Sequence, residues 1–219
     1  MTYSGNLKPI VLLVLITVAL CLRANTSHAG TSTLTVAGGC FWCVEADFEK
    51  VGGVSGAVSG YIGGQTINPT YKQVTRGGTG HFEAVQITFD PDIVSREKLL
   101  QLFFRSVDPT DAGGQFCDRG DSYRTAVFVS DKQERNLAET VKAQAQSQLG
   151  QPIVTPILPY GTFYPAEKYH QDYYKGKKLV VTRFGPIRQS KAYKRYRKAC
   201  ERDIRVKQLW GDDAPFAGG

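Results

Sequence analysis

Methionine is nearly absent. The 219 residues hold one Met and three His, against eleven Tyr, eleven Phe, two Trp and five Cys. So few histidines leave little choice of imidazole ligands, and one CxxC without a second closely spaced cysteine pair lacks the pattern of a zinc site. The glycine-rich stretches contain no Walker lysine and no complete G-x-G-x-x-G between strand and helix, so nothing marks a nucleotide site. There is no internal repeat and no low-complexity linker. An ordinary mix, 42% hydrophobic and 21% charged, excludes collagen, coiled coil, a disordered tail and a disulfide miniprotein. Long apolar runs are missing too: Ile10 to Leu22 spans about 20 Å as a helix, short of the ~30 Å hydrocarbon core.

That run follows Lys8 and ends at Ser27-His28-Ala29, the layout of a secretory signal peptide cleaved after Ala29. Leu20 is too bulky to make Cys21 a lipoprotein cysteine. The expectation is an exported protein, periplasmic or secreted, with no stable membrane insertion once residues 1–29 are removed. Cys40, Cys43, Cys117 and Cys200 then share an oxidising compartment, where three pairings are open. The formal net charge is +7, concentrated from Arg183 to Arg205. Such a run can bind RNA or anionic lipid, but Glu201 and Asp203 interrupt it. Residues 183–219 are therefore read as a basic tail packed on a domain spanning 30–182, in a monomer with no nucleic-acid partner.

Along that domain, Thr31 to Ala37 is β-branched and meets Gly38-Gly39, a strand ending in a turn. Phe41, Val44, Phe48 and Val51 recur at helical steps until Gly52-Gly53. Strands are expected at Val54 to Ile62, His81 to Phe89, Tyr123 to Val129 and Ile153 to Leu158. Helices are expected from Ser95 to Ser106 and from Ser130 to Leu149, the second capped by Ser130 with Gln133 and closed by Gly150. Gln65 to Gly80 and Asp108 to Ser122 are long loops of the kind that carry function. Beyond Gly161 the chain is tyrosine-rich and aperiodic. The order predicts an α+β fold, a mixed sheet with helices packed on it and a wrapped C-terminal tail.

Cys40 opens the first helix behind two glycines, where unpaired N–H groups and the helix dipole favour an anion. A thiol there is expected to ionise readily and act as a nucleophile. Gly39-Cys40-Phe41-Trp42 with Glu45 resembles the signature of A-type peptide methionine sulfoxide reductases. Matching segments follow in order: Gly60 to Gly64, Asn68 to Tyr71, Gly80 to Val85, Asp108-Pro109, and Asp118 through Arg124. The resemblance implies a two-layer α/β sandwich of ferredoxin-like type. It also implies attack by Cys40 on the sulfur of methionine S-sulfoxide, free or protein-bound. Glu83 would protonate the departing oxygen with help from Tyr71, Tyr123 and Asp118, while Phe41 and Trp42 seat the substrate methyl. The chemistry asks for such groups, because a sulfoxide oxygen leaves only when protonated, and a carboxyl buried among aromatics keeps its proton at neutral pH. His81, two residues from Glu83, is read as a hydrogen-bonding support.

Attack would leave Cys40 as a sulfenic acid, which a second thiol condenses to a disulfide. Cys43, Cys117 and Cys200 are the candidates, and many family members carry glycine where Cys43 stands. We take Cys40–Cys43 as the redox pair and Cys117–Cys200 as a staple or a relay. No bound cofactor or metal is expected; the reductant is an external dithiol, a thioredoxin-like protein or dithiothreitol. A CxxC thiol–disulfide oxidoreductase is the alternative, and a non-enzymatic binding module using the tail is a third reading.

Overall fold

The protein is described here by a computed structural model that covers residues 30–182 and 185–218. The expected leader, residues 1–29, lies outside the described residues. Among the described residues no helix is long and apolar enough to cross a membrane.

Six strands form the main sheet: β1 (Ser32–Gly38), β2 (Val54–Ile62), β3 (Phe82–Phe89), β6 (Thr125–Val129), β7 (Ile157–Pro159) and β8 (Tyr164–Pro165), in the order β7-β6-β1-β3-β2-β8. All neighbours are antiparallel except β6 and β7, so the sheet is mixed. Two-residue strands β4 (Gly114–Gln115) and β5 (Asp118–Arg119) pair beside it, and β9 (Leu179–Thr182) pairs with β10 (Gly185–Arg188) as a separate hairpin. The helices are α1 (Phe41–Phe48), α2 (Tyr71–Arg76), α3 (Arg96–Ser106), α4 (Lys132–Leu149), α5 (Gln189–Ala199) and α6 (Arg202–Trp210).

Strand alternation decides which side chains reach the site. Leu34 and Val36 of β1, Val85, Ile87 and Phe89 of β3, and Val127 and Val129 of β6 form the main core with Val44, Leu99 and Phe103 of the helices. Ala37, Ala84, Ala126 and Phe128 form a smaller cluster on the opposite face. Glu83 is in phase with Val85 and Ile87, so it points toward the helices. The result is the α+β mixed sheet with helices that the sequence predicts.

Some boundaries move. Asp131, not Ser130, caps α4, accepting from the Glu134 N–H at 2.8 Å, while the Ser130 N–H donates to the Glu134 carboxylate. An anionic acceptor one residue later outcompetes the hydroxyl. The strand expected over Ile153 to Leu158 is paired only from Ile157, because Pro152 and Pro156 have no N–H to give a ladder. The helical turn in the Gln65 loop is α2, with a Thr70–Gln73 capping box. The segment beyond Gly161, aperiodic in sequence, folds into the β9–β10 hairpin and two helices, and its basic side chains are not all solvated. Arg197 and Arg202 are 7% and 2% exposed.

Candidate active site

Cys40 is the N-cap of α1 and follows Gly39, whose φ is +78°. A Cβ at Gly39 would stand 2.5 Å from Gln115 Cβ. Only glycine lets β1 turn into α1 so close to the β4 segment. Gln115 is itself pinned by hydrogen bonds with the Asp108 N–H and carbonyl, at 2.8 and 2.7 Å.

Glu83 is buried and accepts from the Phe41 N–H through Oε2 at 3.1 Å; its Oε1 has no hydrogen-bond partner among the described residues. Burial pushes its carboxyl well above the usual carboxylate range, against the Phe41 N–H and with the negative charge of Asp118 adding to the effect. Burial thus favours the protonated form of Glu83. Tyr71, at the start of α2, and Tyr123, at the end of a 3-10 turn just before β6, face Glu83, and their two hydroxyls interact with each other. Both phenols are raised, first by burial and then by the charge of Glu83. Glu167 sets Tyr71 in place by accepting from its N–H at 2.8 Å and from the Tyr61 hydroxyl at 2.8 Å. Asp118, half-buried on β5, interacts electrostatically with Cys40, Glu83 and Tyr123.

The structure thus brings Cys40, Phe41, Tyr71, Glu83, Asp118 and Tyr123 to one place. Phe41 stacks on Tyr71 at 6.1 Å. Trp42 lies flat on Tyr173, ring centroids 3.8 Å apart, and donates through Nε1 to His170 Nδ1 at 3.2 Å. His81 is apart from this cluster. Its ring accepts from the Gly64 N–H at 3.1 Å and pairs with the Thr66 carbonyl at 2.8 Å, holding the loop rather than Glu83.

The cysteines divide by depth. Cys40 and Cys43 are free, buried thiols at 7% and 2% exposure. Cys117 and Cys200 form a disulfide with a Cα separation of 4.9 Å, and Cys117 is exposed. The expected ready ionisation of Cys40 is reversed here. Burial pushes its thiol up, followed by its hydrogen bond to Cys43 and the charges of Glu83 and Asp118. Desolvation among acids outweighs the fractional charge of a two-turn helix. Cys43 moves the other way, lowered by the bond from Cys40 and by Arg202 and Arg197.

Several site residues escape the sequence reading. His170, Tyr173 and Tyr196 come from the aperiodic, tyrosine-rich segment; its aromatic density was the one available signal. Glu45 stood only as a motif letter. It is buried, accepts from the Ser59 hydroxyl and the Asp172 N–H, and its carboxyl is pushed up to about 7 by burial. It ties α1 to β2 and to the segment carrying His170 and Tyr173.

The family model described as "Peptide methionine sulfoxide reductase" matches residues 32–205. The chain is 46% identical over 180 residues to peptide methionine sulfoxide reductase MsrA 2 of Staphylococcus aureus, covering 81% of this chain and 95% of that protein. It is 47% identical over 183 residues to the MsrA of Bacillus licheniformis, covering 81% and 92%. Among solved structures it resembles methionine sulfoxide reductase A of Corynebacterium diphtheriae, with 31% identity, TM-score 0.60 and coverage of 68% of this chain and 76% of that one. It also resembles reduced Mxr1 of Saccharomyces cerevisiae, with 30% identity, TM-score 0.64 and coverage of 68% and 87%.

Proposed function

The chain belongs to the peptide methionine sulfoxide reductase family, oxidoreductases that return methionine sulfoxide to methionine, and from that premise we propose how its residues divide the work. Cys40 is the nucleophile and Glu83 the acid. The carrying observation is the buried Glu83 carboxyl held by the N–H of Phe41, the residue after Cys40, with Oε1 unpartnered among the described residues; burial favours its protonated form. Cys40 sulfur attacks the sulfoxide sulfur. The oxygen takes the Glu83 proton and the Cys40 thiol proton and leaves as water while the S–O bond breaks, so that Cys40 sulfur is bonded to a methionine sulfonium. Water then attacks the Cys40 sulfur, giving its proton back to Glu83; the S–S bond breaks with its electron pair on methionine, and Cys40 is left as a sulfenic acid. Tyr71 and Tyr123 donate to the oxygen while charge builds on it, and Asp118 keeps protons on its neighbours by its own charge. Phe41 and Trp42 take the methyl, and the reading is for the S epimer.

Cys43, one turn along α1, then condenses with the sulfenic acid, releasing water and forming the Cys40–Cys43 disulfide. A thioredoxin-like dithiol reduces that disulfide and is itself oxidised. Every group in this scheme comes from one chain, which supports a working monomer. The segment 1–29 supports export to a periplasmic or extracellular setting.

Assaying both sulfoxide epimers with dithiothreitol tests the reading. Reduction confined to the S form is expected, abolished by Cys40→Ser and slowed about 10²–10⁴-fold by Glu83→Gln, the span of general acid catalysis. Mass spectrometry after one equivalent of sulfoxide without reductant should find Cys40 joined to Cys43 and Cys117 still joined to Cys200. Turnover by Cys40→Ser would reject the scheme.

A further inference from the structure

We propose that Tyr196, brought in by helix α5, is a positioning residue that fixes the Asp118 carboxylate in the site, and that the Cys117–Cys200 disulfide braces this pair. The proposal rests on the reading of Asp118 given above. Asp118 sits on β5, a strand of two residues paired to another of two. A ladder that short holds a side chain poorly, so its aim must come from elsewhere. It comes from the C-terminal segment: the Tyr196 hydroxyl donates to Asp118 Oδ2.

The covalent geometry follows the hydrogen bond. Cys117 precedes Asp118, and Cys200 lies one helical turn beyond Tyr196 at the C-cap of α5. The disulfide therefore joins the residue before Asp118 to the one a helical turn beyond Tyr196, across 83 positions of sequence. Cys117 Sγ is 4.0 Å from the Tyr196 oxygen. Two further contacts close the bracket. Tyr196 meets the edge of Trp42 at 6.3 Å and 79°. The Arg202 guanidinium lies 4.7 Å over the ring of Phe116, the residue before Cys117, and donates to the Gly38 and Ser106 carbonyls at 3.1 and 2.8 Å. Tyr193, three residues earlier on α5, instead accepts from Arg197 at 3.1 Å, so one tyrosine of the basic run serves the core and the other serves the site.

The groups facing Asp118 define what the bond does. Burial raises the Asp118 carboxyl, while Tyr196 from α5 and Arg202 from α6 oppose that rise and favour its anion. Glu83 from β3, Cys40 at the head of α1 and Tyr123 before β6 all feel that anion and hold their protons more tightly for it. A phenol donor removed from a half-buried carboxylate leaves the anion poorly solvated. Asp118 would then take up a proton at higher pH and cease to act as an anion in the site. The predicted deficit is thus greatest on the acid side and shrinks as pH rises, whereas a purely structural loss is flat.

The test is pre-steady-state methionine release by the full chain, with Tyr196→Phe, Asp118→Asn and the double variant compared from pH 5.5 to 9, alongside thermal midpoints. Phenylalanine keeps the ring against Trp42, and Asp118→Asn interrogates the same bond from the other side. We expect Tyr196→Phe to slow release roughly tenfold at the acid end with KM for the sulfoxide changed less than about twofold, the gap narrowing toward pH 9. In the Asp118→Asn background Tyr196→Phe should add less than about a twofold loss, because the bond it serves is already gone. An undiminished Tyr196→Phe overturns the proposal. So does an equal loss in both backgrounds, or a deficit that does not vary with pH. Asp118→Asn at the full rate removes the reading of Asp118 and this inference together. Activity surviving Cys40→Ser would instead strike the scheme as a whole, and the two failures are separable.

Discussion

His170 is neutral in the fold. Its ring sits among Phe41, Trp42, Tyr71 and Tyr169, with centroids 5.2, 5.6, 4.2 and 4.2 Å away. Burial lowers its pKa from 6.5 to about 4, which keeps Nδ1 free to accept from Trp42. The unfolded chain takes up this proton below 6.5 and the native chain does not until about 4, so the residue makes stability fall as pH drops through that window. Urea unfolding from pH 4 to 7 should show that slope, and His170→Phe should flatten it relative to the parent chain; an unchanged slope would refute the assignment. Such a role could not be read from the sequence, where His170 is one histidine in an aperiodic stretch and its partner Trp42 lies 128 residues away. Cys40 was singled out by its place at a helix start behind two glycines; Phe41, Trp42, Tyr71, Glu83, Asp118 and Tyr123 could be named beforehand only through the family resemblance, each in a short matching segment. What the segments could not convey is how the field of buried acids acts on the Cys40 thiol, since that depends on distances across elements.

Among elements, the strand His81 to Phe89 was readable as a strand, but its alternation is only rough in sequence, and it is the structure that puts Glu83 on the helix side with Val85 and Ile87. Caps and strand ends were less readable, as Asp131 and Pro156 show, because a one-residue competition between acceptors or a missing donor decides them. The C-terminal helices were not legible. Their apolar positions are few, and they are held by polar contacts, Arg197 reaching Asp47 far back in the chain at 2.9 Å and Asp203 six residues on at 2.7 Å. The disulfide is the covalent counterpart of those contacts. By closing a loop of 83 residues it should restrict the unfolded chain strongly. Cys117→Ser with Cys200→Ser is therefore expected to lower stability by about 2–4 kcal/mol, read as an earlier guanidinium midpoint without reductant. Equal midpoints for parent and variant would show that the bond does no stabilising.

At the level of the molecule, the sheet and its helices supply the nucleophile and the acid, while the C-terminal third supplies the walls around them. Asp47 on α1 is the buried junction, with Arg197 at 2.9 Å and Arg202 at 4.0 Å. Breaking such a buried pair by removing one partner leaves an uncompensated charge, so the tail is a component of the core rather than an appendage. That this segment lines the site was not legible in its sequence. The flat stack of Trp42 on Tyr173 carries one more consequence. The other tryptophan, Trp210, packs beneath Arg105 of α3 at 5.9 Å. With Trp210→Phe the indole that remains lies two residues after Cys40 and next to Cys43, and its emission should drop when the Cys40–Cys43 disulfide forms and recover when a dithiol opens it. The enzyme would then report each turn of its cycle as light, with no label attached.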